Sequence, residues 1–232
     1  MKKQGYDSLS SHSFRKIDAI NYGICPAILL QHIRYTVQYN AEIGRNIQEV
    51  KGKKYSWMFD SAREFAIAFP YMTEESIGRY LRKLEKEKQL IVGEFNKKRY
   101  DRTKWYTVPI QEKEILNEAE KEMRFVNVFD AKEFGVVRAV ILNKLREELA
   151  ILGEVEDYSY YKEIKQKKIL RRLPFFSKCT LISALRDLED AGVIEIQQSD
   201  INYKVRSYRF CEDWLSKFPE QRLIRNAPKN QE

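Results

Sequence analysis

Asp18-Ala19, Gly23, Ala27, Leu30 and Arg34 recur 112 positions later as Asp130-Ala131, Gly135, Ala139, Leu142 and Arg146. Pro70, Leu81, Arg82, Leu84 and Glu85 recur 104 positions later as Pro174, Leu185, Arg186, Leu188 and Glu189. A chain of 232 residues that repeats itself in this way folds as two small related domains, because units of roughly 100 residues are near the ordinary domain size. The change of offset makes the segment between the matched helices eight residues shorter in the second copy. Each copy reads as helix, short strand, helix, helix and two-stranded hairpin.

That order predicts an α+β chain, mainly α, built of tandem winged helix-turn-helix domains with small β-hairpin wings. The boundaries expected are 1–110 for the first domain, 111–123 for a helical connector, 124–212 for the second domain and 213–232 for a C-terminal helix and tail. In the first copy a polar leader precedes a helix from Pro26 to about Tyr39, with Pro26 in the first turn and Ala27, Leu30, Ile33 and Val37 at helical spacing. "NAEIGRNIQEVKGKKY" reads as a basic loop, and "KYSWMF" as a strand with Tyr55 and Trp57 on one face. Asp60 or Ser61 caps a helix that Pro70 stops after Phe69. Thr73 caps the next, from Glu74 to about Lys88, which buries Ile77, Leu81 and Leu84.

The outer face of that third helix carries Glu75, Ser76, Arg79, Arg82, Lys83 and Lys86. A charged helix face is ordinarily a solvated one. In a helix-turn-helix, however, the third helix is the element that enters a major groove, and these side chains reach base edges and phosphates. We therefore take Ser76, Arg79, Arg82 and Lys83 as candidate DNA contacts. The strands "LIVGEF" and "TKWYTV" form the hairpin, and Lys97, Lys98, Arg99, Arg102 and Lys104 in and beside its tip are candidates for phosphate contacts. Trp105 and Tyr106 are expected to complete the apolar face of the hairpin. Tyr100, at the tip, suits either that role or a contact with nucleic acid. The charge follows the same division. Residues 1–112 hold 20 Lys/Arg against 13 Asp/Glu, and residues 113–232 hold 22 against 21, so the first copy carries most of the excess that attracts polyanions.

The second copy has the same order with weaker chemistry. Its first helix runs from about Val136 to Leu149, Tyr160 and Tyr161 take the strand positions, and "KEIKQKKILRRL" forms a basic second helix up to Pro174. Lys168 and Arg171 there, and Lys178, Thr180 and Ser183 on a third helix capped by Ser177, are its candidate DNA contacts. Asp187 stands where the first copy has Lys83, and a carboxylate facing DNA is unfavourable unless it accepts from a cytosine amine. This copy is therefore expected either to bind DNA weakly or to bind a protein. "PIQEKEILNEAEKEM" suggests the connector helix, with Ile115, Ala119 and Met123 in step, and Trp214, Leu215, Phe218 and Leu223 a C-terminal helix that seals the second core.

"AILLQHIRY" and the run "SAREFAIAFPYMTEESIGRYLRKLEKEKQLIVGEFNKKRYDRTKWYTV" resemble the winged-helix replication proteins, or replisome organisers, of phages, plasmids and integrative elements, with "GEFNKKRYDRTKWYTV" as the signature. The resemblance spans about residues 26–110 and implies binding to an origin or operator alongside replication factors. At the level of fold, the second copy resembles a diverged winged helix as in tandem plasmid initiators. A transcription repressor, or a protein-binding adaptor that inhibits a host system, is the alternative use of the same module. With only His12 and His32, no glycine-rich phosphate loop and no paired metal-ligand spacing, the sequence predicts no catalysis, no cofactor and no metal. No apolar run approaches the ~20 residues needed to cross a bilayer, and Cys25, Cys179 and Cys211 are widely spaced. A cytoplasmic protein with reduced thiols, no membrane partner, and a monomeric or homodimeric state is expected.

Overall fold

The computed structural model describes residues 11–96, 101, 103–109, 122–150, 161–198 and 205–217. The predicted leader contains structure. Strand β1 (Ser11–Arg15) runs into α1 (Lys16–Tyr22), and α2 (Ile24–Glu42) follows after a single residue. That residue, Gly23, has φ 92°, a conformation side chains rarely enter, and it parts the two helices. The pattern recurs 112 positions later, where strand β7, introduced below, leads to a helix pair parted by Gly135 at φ 82°. A polar leader shows no buried stripe in a helical plot, which is why these residues look unstructured. What anchors α1 is Asp18, 5% exposed, which accepts from Arg34 of α2.

The basic stretch after α2 is a hairpin and not a loop. β2 (Ile47–Val50) pairs antiparallel with β3 (Lys53–Ser56), register Val50 to Lys53. Lys51 and Gly52 turn it, both at positive φ (52° and 74°), as a tight two-residue hairpin turn requires. The chain then passes through Trp57, 0% exposed, into β4 (Met58–Asp60). "KYSWMF" is thus split between two sheets at its buried tryptophan, whose carbonyl accepts from Asn40 at 2.8 Å.

Ser61 caps α3 (Ala62–Ala68) with a capping box, its side chain accepting from the Glu64 amide while the Glu64 carboxylate accepts from the Ser61 amide. After Pro70, Thr73 caps α4 (Glu74–Lys86), accepting from the Ser76 amide. Ile77, Leu81 and Leu84 are buried against the bundle, in which α4 packs on α2 and α3. β5 (Ile91–Gly93) and β6 (Lys104–Thr107) close the unit as a three-stranded sheet of order β4-β6-β5, antiparallel throughout, with Tyr106 opposite Met58 and Val92.

β7 (Met123–Asn127), α5 (Val128–Phe134), α6 (Val136–Ala150), β8 (Lys162–Glu163), α7 (Gln166–Arg172), α8 (Lys178–Asp190), β9 (Ile194–Gln198), β10 (Arg206–Phe210) and α9 (Glu212–Lys217) complete the chain. Met123 is in a strand and not in a connector helix, and Glu122 before it is in no helix; residues 110–121 lie outside the described residues, as does Tyr160. Tyr161 precedes β8 rather than lying in it, and α7 starts four residues after the predicted strand-to-helix segment begins. β8-β10-β9 repeats the first sheet, with Tyr208 opposite Lys162 and Ile196. Asp130, 0% exposed, binds Arg146 at 2.6 Å, the same pair as Asp18 and Arg34. Trp214 of α9 is 6% exposed and stacks on Phe210, so its side chain belongs to the second core.

By contacts the chain divides into two compact units, Met1–Arg124 and Phe125–Glu232. Each is α+β and mainly helical, with small antiparallel sheets. Among the described residues no helix is long and apolar enough to cross a membrane.

Candidate nucleic-acid interface

Because Ile77, Leu81 and Leu84 fix which side of α4 is buried, the opposite side follows from the 100° step between residues. Glu75, Arg79, Arg82 and Lys86 occupy it, and all four are exposed. Arg79 lies over the Tyr80 ring, 5.5 Å from its centre, a contact that orients the guanidinium. Ser76 is half-buried on the flank, its hydroxyl accepting from Thr73, so it serves the helix start.

Lys83 departs from the predicted role. It is exposed, but its ammonium donates to the Tyr22 carbonyl at 2.9 Å, at the end of α1. A lysine at a helix C-terminus satisfies an orphan carbonyl and the negative end of the helix dipole. Its position on the wheel is lateral rather than outermost, and the contact spans 61 residues, a pairing no periodicity reveals.

The hairpin beside α4 is built on aromatics. Tyr106 is 6% exposed, and Trp105 donates from its indole to Asn96 at 2.7 Å while its ring lies against Phe59 and Phe95. The same Asn96 donates to the carbonyls of Asp101 and Thr103 at 2.9 and 2.7 Å, and Asp101 accepts from the Thr103 amide. One asparagine therefore ties both strands where the tip begins. Lys97, Lys98, Arg99, Tyr100 and Arg102 lie outside the described residues. Lys104 is exposed and bound to Glu94, the residue after β5, and the hydrogen bond from Lys104 holds the Glu94 carboxyl below its usual range. Sequence inspection missed a second cationic edge. Lys51, Lys53 and Lys54 are exposed at the tip of β2–β3; the Lys-Gly pair at the turn was the signal for it.

In the second unit, α8 repeats α4. Ser177 caps it through the Thr180 amide at 3.0 Å, and its hydroxyl also pairs with that of Thr180 at 2.8 Å. Lys178, Ser183 and Arg186 are exposed. Asp187 is not an open carboxylate on the outer face. It binds Arg138 of α6, with Nε at 2.9 Å, and Arg138 also donates to the Phe134 carbonyl at 3.1 Å. Arg138 thus does for α5 what Lys83 does for α1, and Asp187 compensates the charge. Lys168 is likewise committed. It binds Glu148, as does Lys144, while Lys162 donates to the Glu148 carbonyl. Burial raises the Glu148 carboxyl, but the hydrogen bonds and charges of Lys168 and Lys144 outweigh it and hold the group below its usual value. Arg171, with Lys165, Lys167 and Arg172, remains on the exposed side of α7.

Comparison with protein-family models and with curated proteins returns no match. In the first unit one face of α4 carries Glu75, Arg79, Arg82 and Lys86; in the second the corresponding positions hold Cys179, Ser183, Arg186 and Asp190, while Asp187 and Lys168 are paired inside the unit.

Proposed function

We propose that each unit is a winged helix-turn-helix and that the chain is a non-catalytic, cytoplasmic double-stranded DNA-binding protein of a phage or mobile element, acting in replication initiation or its control. The observation that carries this is α4: a helix with its apolar stripe buried, presenting Arg79, Arg82 and Lys86 outward and followed in the chain by the β5–β6 hairpin. Three cations on one face of a helix narrow enough to enter a major groove match the way such motifs read bases and hold phosphates. Replication is supported by the resemblance of "GEFNKKRYDRTKWYTV" to replisome organisers.

In this reading Arg79 and Arg82 contact bases or flanking phosphates, Lys86 and the hairpin cations grip the backbone, and Lys83 positions α4 on α1. Fluorescence anisotropy on specific and scrambled duplexes separates these roles. Arg79→Ala is expected to lower affinity for the specific site by about 1–3 kcal/mol and to flatten the preference, whereas Lys97→Ala with Lys98→Ala weakens every duplex alike. An Arg79→Ala protein with undiminished sequence preference would contradict the assignment.

A second reading is favoured for the second unit alone. Asp187 and Lys168 are paired internally, which leaves a smaller cationic face there, so this unit suits a protein partner of the replication machinery.

A further inference from the structure

Lys51, Lys53 and Lys54 stand on the β2–β3 hairpin, and all three are exposed. Glu49 is the cross-strand partner of Lys54, whereas Lys53 faces Val50 and Lys51 occupies the turn, so the carboxylate balances one lysine and leaves two. Among the described residues neither Lys51 nor Lys53 has an ion pair. By contrast Lys16, Arg34, Lys83 and Lys104 are engaged by Glu122, Asp18, the Tyr22 carbonyl and Glu94. Lys51 is also held against its backbone preference. At φ 52° it fills a turn position that asparagine or glycine enters more readily.

The scaffold does not dictate these lysines. The segment between the matched helices is eight residues longer here than in the second copy. Residues 43–56 hold Arg45, Lys51, Lys53 and Lys54 against Glu49, while residues 151–160 hold Glu154, Glu156 and Asp157 and no Lys or Arg, so the charge of the segment is reversed between the copies. The Ser56 carbonyl accepts from the Thr107 hydroxyl at 2.7 Å, which fixes the base of β2–β3 at the Thr107 end of β6. The β5–β6 tip leaves from the Lys104 end of that strand, roughly 10 Å away. β3 also borders, across a cavity of about 430 Å³, Gln89 just past the end of α4. The unit therefore carries two hairpins that leave its sheet at opposite ends, and the base of β2–β3 lies beside the C-terminal end of α4.

We propose that the β2–β3 hairpin is a second, sequence-independent grip on the phosphate backbone of duplex DNA, with Lys51 and Lys53 as its contacts. The proposal rests on the DNA-binding reading of α4 and extends it to phosphates flanking those that α4 and the β5–β6 hairpin reach. Lysine ammonium groups are point charges on flexible stems that suit phosphate oxygens, and a phosphate contact holds position without reading sequence. A tight turn carries these two charges at the tip of the hairpin, clear of any carboxylate across the ladder.

The test is a salt series on the full chain and on Lys51→Asn/Lys53→Gln, with a duplex selected from random sequences for tight binding and with its scrambled counterpart. Asparagine suits the left-handed turn position, so the thermal midpoint of the variant is expected to hold or rise while binding weakens, a combination that a merely structural lysine does not give. Loss of two phosphate contacts should make the slope of log affinity against log salt shallower by about 2, weaken both duplexes by the same factor and leave the preference between them intact. Lys53→Gln alone, outside the turn, should make it shallower by about 1. Unchanged slopes in both variants, with the unaltered chain still salt-dependent, overturn the hairpin contact and leave the reading of α4 standing; a flat slope in the unaltered chain sinks both. A loss of sequence preference in the variants also overturns the proposal, because the hairpin would then read bases. So does loss of binding to vesicles of anionic phospholipid with DNA affinity unchanged, which would assign the lysines to a lipid surface.

Discussion

Asp130 and Arg146 show how much a single repeated pair fixes. Both are essentially without solvent, at 0% and 3% exposure, and the guanidinium also donates to Asn143 at 3.1 Å. Removing one partner of such a pair leaves a buried uncompensated charge, at a cost of about 3–5 kcal/mol. Asp130→Ala is expected to lose that much in urea unfolding of the second unit, and Asp18→Ala less, because Arg34 opens to a cavity that water reaches. Equal, negligible losses would contradict the burial. Two histidines give the first unit a pH dependence. Burial brings His12 and His32 down to about 4, below the unfolded value of about 6.5. Between those values the unfolded chain binds protons that the folded chain refuses, so stability present above pH 6.5 is lost as pH falls towards 4. His32→Leu should flatten that fall in denaturation midpoints taken across the range; an unchanged slope would exclude His32 as a source.

Among the elements, α4 and α8 end alike but not at the same cost. Lys88 has φ 59° and Gly192 φ 66°, and in each case the next amide reaches back to Leu84 or Leu188 to close the helix. A side chain in that left-handed position costs roughly 1–2 kcal/mol, which glycine avoids. Lys88→Gly is expected to raise stability by about 0.5–1 kcal/mol, and Thr73→Ala to lower it by about 1 kcal/mol through the lost cap, both measured by chemical denaturation. The elements that announced themselves in the sequence are those with a buried stripe and end signals, such as α4 with Thr73, Ile77, Leu81 and Leu84. β2–β3 did not, because its alternation is weak: Ile47 is 49% exposed and its lysines face solvent. α1 did not because it is seven residues long and buries only Asp18 and Ala19, too few for a helical stripe. The outer face of α4 was legible from helical spacing, whereas the engagement of Lys83, Lys168 and Asp187 arises from contacts between residues 61, 20 and 49 positions apart.

At the scale of the whole molecule, duplication has produced two units with one scaffold and different surfaces. The first presents outward cations on α4 and a hairpin tied by Asn96; the second pairs Asp187 and Lys168 internally and sets Arg146 against Trp214. The net charge of +8 is then useful mainly where it is unpaired, on the first unit. The most direct measurement is the affinity of the full chain for duplex DNA across a salt series. Neutralisation of roughly five to eight phosphates predicts that log affinity falls with log salt at a slope of about −4 to −7, becoming shallower in Arg79→Ala/Arg82→Ala. A slope near zero, or one that those substitutions leave unchanged, would contradict the assignment of α4 as the DNA-reading helix.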